Sequence, residues 1–231
     1  SGTAVDLSWK KCLNYLQLAI NEGVNKNLKI KTSTVCLQNV MEILTWEGLF
    51  PDIFSLDIDS YDYFILDRLF QNEFRPSILC LECNTFLGVE PVTVDYITPF
   101  SRYDLQPDYG LYFGASPNAW RYLCQSAGYI CLGLDSSGTN IFFALPERLK
   151  IKDFEVVESA DVHQSFFVKK YQKTGDELSS LLRSTNNLVF LDVDSDGYRN
   201  KASEKSFNPG KGVATSFVTT FVRSTYESVS Y

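Results

Sequence analysis

Phe54-Ser-Leu-Asp-Ile-Asp-Ser-Tyr-Asp-Tyr63 sets an apolar run in front of Asp57 and Asp59 and an amphipathic aromatic run behind them. An apolar run closed by acids predicts a buried strand whose tip carries oxygen ligands. Side chains alternate along a strand, so Asp57 and Asp59 share one side if the extended geometry persists through Asp59, and they then converge on one cation. A second apolar run, Ser77-Ile-Leu-Cys-Leu81, ends in Glu82 and Asn84. Two buried strands that both finish in oxygen ligands predict an open α/β sheet, where ligands bind at the carboxyl ends of the strands.

The flanking sequence supplies the rest of such a sheet. Trp9, Cys12, Leu13, Leu16, Ala19 and Ile20 recur at helical spacing, predicting a helix over 6–22 capped by Asp6 and stopped by Gly23. A short strand follows at 28–32. Residues 33–47 predict a helix burying Leu37, Val40, Met41, Ile43 and Leu44, ended by Gly48. Residues 61–72 predict another, through Phe64, Ile65, Arg68 and Leu69, before Pro76. The aromatic, aperiodic stretch 86–112 reads as a long loop over the strand ends, a lid or substrate wall. Ser116-Pro117 opens a helix whose stripe is Trp120, Leu123, Cys124 and Ala127. Strands at 129–134 and 140–145 flank Asp135-Ser-Ser-Gly-Thr139 and predict an antiparallel hairpin. After Pro146 the segments are shorter and more charged, with a helix expected over 176–183 and a strand over 188–193. The expected division is an α/β domain over 1–148 and an accessory, partly mobile segment over 149–231 that adds little to the core.

The 231 residues are 45% hydrophobic and carry a formal net charge of -7, enough apolar material for a real core. Without a basic patch interleaved with aromatics, neither nucleic acid nor an anionic membrane is an expected partner. No apolar run approaches membrane-span length. Cysteines 12, 36, 80, 83, 124 and 131 sit mostly in apolar runs, as reduced thiols do, and this predicts a cytoplasmic protein. Cys80 and Cys83 form a CxxC without a second ligand pair, so they read as core thiols rather than a zinc site. His163, the only histidine, sits in a polar stretch, so no Ser-His or Cys-His pair is expected in the core of the fold.

The order of motifs, Asp57-Ile-Asp59, aromatic helix, Glu82-Cys-Asn84, Phe113-Gly-Ala-Ser116 opening a helix and Gly138-Thr-Asn140 in the closing hairpin, resembles the FkbM-like S-adenosylmethionine-dependent methyltransferases over residues 35–145. The resemblance implies a Rossmann-like sheet, mainly parallel with a terminal antiparallel hairpin, of which this stretch is the second half. It implies O-methyl transfer from S-adenosylmethionine to a sugar or related small molecule, assisted by Mg²⁺ or a similar cation. No glycine-rich loop precedes Asp57, since Gly2, Gly23 and Gly48 are isolated. The family's first strand, its cofactor loop and the ribose-holding acid that ends its second strand are therefore expected upstream of residue 1, in a missing amino-terminal half or another subunit. No cofactor-binding residue is assigned within the chain.

Asp57, Asp59 and Glu82 are the candidate metal ligands, with Asp57 and Asp59 in the catalytic role of orienting a hydroxyl and lowering its pKa. The alternative is that one acid caps the next helix and another binds loop amides. Asn84, Tyr61 and Ser116 are the candidate substrate contacts; against this, Asn84 orders the loop, Tyr61 packs the helix and Ser116 caps one. Asp192, Asp194, Asp196 and Gly197 match half of a calcium loop, but position twelve is Ser203, with Glu204 one residue late. Two other functions fit the same residues: a metal-dependent glycosyltransferase using Asp-x-Asp, and a non-catalytic methyltransferase-like binding module.

Overall fold

The computed structural model describes residues 2–44, 51–88, 90–105, 110–148, 188–194, 197–199 and 217–221. Its centre is an open seven-stranded sheet of β1 (Gly2–Asp6), β2 (Leu28–Thr32), β3 (Ile53–Asp57), β4 (Ile78–Glu82), β6 (Ile130–Leu134), β7 (Asn140–Ala144) and β11 (Phe217–Phe221). The order across the sheet is β2-β1-β11-β3-β4-β7-β6. β1 pairs parallel with β2 and β3 with β4, whereas β7 and β11 run against both their neighbours. The fold is thus a mixed α/β one. The hairpin expected around 135–139 is β6–β7, with Asp135 Oδ1 accepting from Gly138 N at 2.7 Å and Thr139 N at 3.0 Å.

The layers follow from strand alternation. Phe54, Leu79 and Phe143 stand level on neighbouring strands, as do Leu56, Leu81 and Ile141, and all six are fully buried. The helices α3 (Asp62–Gln71) and α5 (Pro117–Ser126) cover this face. Tyr63 meets Trp120 at 5.7 Å between ring centroids, Phe70 stacks on Tyr129 at 5.5 Å, and Phe74 meets Phe54 edge-on at 4.9 Å. Right-handed crossovers put α1 (Trp9–Asn21) on the opposite face, because β1 leads to β2 in one direction and β3 to β4 in the other.

Several sequence expectations are corrected. Residues 2–6 form a strand, so Asp6 ends β1 instead of capping a helix; Ser8 is the cap, its Oγ accepting from Lys11 N at 3.4 Å. The α1 stripe is split: Cys12 and Ala19 are buried while Trp9, Leu13, Leu16 and Ile20 are exposed. Within the described residues 33–44 of the expected helix only Val40–Ile43 is helical, as α2, preceded by an irregular turn in which Asn39 Oδ1 accepts from Cys36 N at 2.8 Å. Arg68 lies on the exposed side of α3.

The stretch 86–112 is no simple surface loop. It holds β5 (Val92–Val94) and the short α4 (Arg102–Leu105), and it buries Phe86, Leu87, Val92, Val94, Phe100, Leu111 and Tyr112. Aromatic density there signals packing, a source that periodicity cannot register. Beyond residue 146 the chain also enters the core. β8 (Leu188–Phe190) pairs with β5, Leu191 is buried, and β11 lies between β1 and β3. The 188–193 strand is two short ones, β8 and β9 (Asp192–Asp194), separated by Leu191. β9 pairs with β10 (Gly197–Arg199), so Asp192, Asp194 and Gly197 belong to a small hairpin. His163, Asp196, Ser203, Glu204 and the 176–183 helix lie outside the described residues. All six cysteines are free thiols. Among the described residues no helix is long and apolar enough to cross a membrane.

The two faces of β3 predict different mutational costs. Phe54→Ala should lower unfolding free energy by about 3–5 kcal/mol, and Ile53→Ala, 36% exposed on the other face, by no more than half as much, as read by urea denaturation.

Candidate metal centre

The acids collect at one rim because β1, β3 and β4 all run toward it. β11 fixes their level, since Phe217 stands opposite Asp6 on one side and Asp57 on the other. The extended backbone ends at Asp57. Asp59 takes the left-handed conformation with φ 53°, which side chains other than glycine rarely adopt. Strand alternation therefore does not bring Asp57 and Asp59 together; a sharp turn does. One carboxylate oxygen each of Asp57, Asp59 and Glu82 lies within 4.8 Å of the others.

Asp62 builds that turn. It is fully buried and bridges the loop, Oδ1 accepting from Ile58 N at 2.8 Å and Oδ2 from Ser60 N at 3.0 Å. The acid that binds the loop amides, sought by the sequence reading among the ligands, is thus a fourth carboxylate, and α3 has no side-chain cap. The Phe113-Gly-Ala-Ser116 motif clamps the turn from outside: Gly114, at φ 59°, donates its N–H to Ser60 O at 2.6 Å, and Gly114 O accepts from Val94 N at 3.1 Å. Gly138-Thr-Asn140 holds the other acid-bearing strand, Cys83 N donating to Thr139 O at 2.7 Å.

Burial raises the affinity of Asp57 and Glu82 for protons, and the neighbouring charges add to it. Burial, then the charge of Asp59, pushes Asp57 up to about 6, with Arg102 and Lys11 opposing. Burial, then Asp62, Asp57 and Asp59, holds Glu82 well above the carboxylate range. Glu82 Oε2 is an enclosed oxygen without a hydrogen-bond partner among the described residues. Arg102 on α4 pairs directly with the cluster: its Nη1 meets Asp59 Oδ1, and its guanidinium carbon lies 5.0 Å from the Tyr103 ring and 5.2 Å from the Phe113 ring.

The three proposed substrate contacts are engaged in structure. Asn84 Nδ2 donates to Leu111 O at 2.7 Å and Phe113 O at 2.8 Å, while Oδ1 accepts from Phe86 N at 3.1 Å. Ser116 is buried; its Oγ donates to Glu90 O at 2.6 Å and accepts from Val92 N at 3.1 Å and Ala119 N at 3.2 Å. Tyr61 packs on Tyr96 and Phe100, and its hydroxyl donates to Val35 O at 3.1 Å. Their neighbours explain this: each sits where a loop must be tied to the sheet rim. Arg102, Asp62 and Asp6 were not singled out as site residues from the sequence. Arg102 lies in the aperiodic stretch, which carries no pattern to flag it. Asp62 could have been found as an acid in the first helical turn. A cleft lined by Leu37, Gln38, Phe64, Asp67, Arg68 and Gln71 shares none of the clustered acids.

No protein-family model matches the chain, and no curated protein matches its sequence.

A raised carboxylate pKa means that the folded state binds more protons than the unfolded one between about pH 4 and 6, so this group makes stability fall as pH rises through that window. Asp57→Asn should flatten that part of the profile and stabilise the protein near pH 7.5 by about 1–2 kcal/mol. Thermal melts of both proteins from pH 4 to 8, without divalent ions, measure it.

Proposed function

We propose that this chain is a Rossmann-like, FkbM-like O-methyltransferase domain whose carboxylate rim holds a divalent cation against a sugar-type hydroxyl. The observation that carries the reading is the convergence of Asp57, Asp59 and Glu82 at the carboxyl ends of co-directional strands, with a buried Glu82 oxygen that has no hydrogen-bond partner among the described residues. Hard oxygen donors of this kind suit Mg²⁺ or Mn²⁺. The donor set fits the ion. When bound, it would lower the pKa of a coordinated hydroxyl. Around it, Asp62 keeps the ligand turn in shape through its bonds to the Ile58 and Ser60 amides.

Strand order supports the fold part of the reading. In the doubly wound order 3-2-1-4-5, β2, β1, β3 and β4 take places 3, 2, 4 and 5, and β11 fills place 1 in reverse. On this reading β1 is the family's second strand, and its closing acid, expected upstream of residue 1, is Asp6. Asp6 is buried at the rim and accepts from Ser8 N at 2.7 Å through Oδ1. We assign it the ribose-holding role. The glycine-rich cofactor loop is a different matter: no such loop occurs before Asp57. The residues present do not supply that cradle, and no step through S-adenosylmethionine is derived from them.

The same pair of aspartates would serve an Asp-x-Asp glycosyltransferase, which a nucleotide-sugar titration separates. Calorimetry of the full chain should detect Mn²⁺ binding that weakens at least about tenfold in Asp57→Asn. Undiminished binding by the folded variant would remove Asp57 from the site. With Mn²⁺ present, S-adenosylhomocysteine should bind weakly and lose affinity further in Asp6→Ala, whereas preference for UDP-glucose would favour the glycosyltransferase.

A further inference from the structure

Arg102 pairs directly with an acid of the cluster, and it does so from outside the sheet. Its backbone belongs to α4, in the segment that follows β5, and its Nη1 pairs with Asp59 Oδ1. Asp59 is also one of the three acids whose oxygens converge. A doubly charged ion among those oxygens repels a guanidinium on the same carboxylate and competes with it for the same lone pairs. The guanidinium nevertheless keeps a seat at the rim when that pair breaks. It lies over Tyr103 and beside Phe113, and its Nη2 donates to Tyr103 Oη at 3.1 Å. Aromatic faces hold a cation there without neutralising it. The side chain is 26% exposed, so an incoming molecule can reach it. A planar fork of donors in that position is matched by carboxylate or phosphate oxygens.

We propose that Arg102 is the specificity-determining residue: it rests on Asp59, is released when a divalent cation takes that carboxylate, and then receives an oxyanion carried by the substrate near its reacting hydroxyl. This rests on the metal reading above. The substrate class is accordingly an acidic sugar or related hydroxy acid, bearing a carboxylate or a phosphate, rather than a neutral one.

The test is calorimetry on the full chain, with folding of each variant checked by circular dichroism. Mg²⁺ alone is titrated first, then glucuronate, glucose 6-phosphate and glucose at saturating Mg²⁺. Arg102→Gln should bind Mg²⁺ about five- to tenfold more tightly than the parent, since its built-in competitor is gone. The parent should bind glucuronate or glucose 6-phosphate in preference to glucose, only with Mg²⁺ present, and the better of the two acids identifies the oxyanion. Arg102→Gln should lose that preference and Arg102→Lys should restore part of it. Equal or weaker Mg²⁺ binding by Arg102→Gln would mean that Arg102 supports Asp59 instead of competing for it, and would overturn the proposal while leaving the metal site standing. Equal binding of glucose and the two acids by the parent would overturn it as well. Absence of Mg²⁺ binding in both proteins would remove the metal reading itself, and this inference with it.

Discussion

Like charges held close together in a partly dry place govern this structure. Asp57, Asp59 and Glu82 bring oxygens within 4.8 Å of one another, and Asp62 lies buried just beneath. Isolated, such a group repels itself apart or takes up protons. Here the acids are held together by fixed means, and Asp57 and Glu82 take on raised proton affinity. Asp62 receives two backbone N–H groups, Arg102 answers Asp59, and Asp59 itself sits in a backbone conformation that few aspartates adopt. The first two offset the cost of gathering the charges, while the left-handed Asp59 is itself a cost. Their concentration in one turn is what the proposed cation site rests on.

That turn stays in place because it is tied from several directions. The Gly114 segment reaches Ser60 from one side, and Asn84 and Ser116 pin the neighbouring loops to the rim. Below it, rows of fully buried side chains cross β3, β4 and β7 and anchor α3 and α5. Polar residues near the rim therefore divide by what surrounds them: those with every group satisfied by backbone are fasteners, and those with an oxygen left over are available for chemistry. Glu82, with its enclosed Oε2, belongs to the second set.

The sequence disclosed most of this where a pattern repeats. Alternation and helical spacing located β3, α3, β4, α5 and the β6–β7 hairpin, and the carboxylates at the strand tips were legible as a group. What it concealed has physical causes. Gly2–Asp6 is too short and too close to a strong helical pattern to declare itself a strand, and Asp6 looks like a cap from either assignment. Residues 86–112 have no period because they pack from loop geometry, so a buried layer read as a surface lid. The reason Asp57 and Asp59 meet was also hidden, since a left-handed residue leaves no trace when its type is aspartate and not glycine. Hydrogen-bond saturation of Asn84 and Ser116 depends on carbonyls more than twenty residues away, which no local pattern reports.

β11 carries a consequence for how the protein is made. It begins at Phe217, long after β7 closes at Ala144, yet it occupies the middle of the sheet. During vectorial synthesis β1–α1–β2 and the block from β3 to β7 leave the ribosome as two half-sheets, each with an open inner edge. Unpaired edges of this kind invite pairing with other chains. The halves become one sheet only when residues 217–221 pair between them, so the carboxylate rim shared by β1 and β3 acquires its shape only after that distant segment has been made.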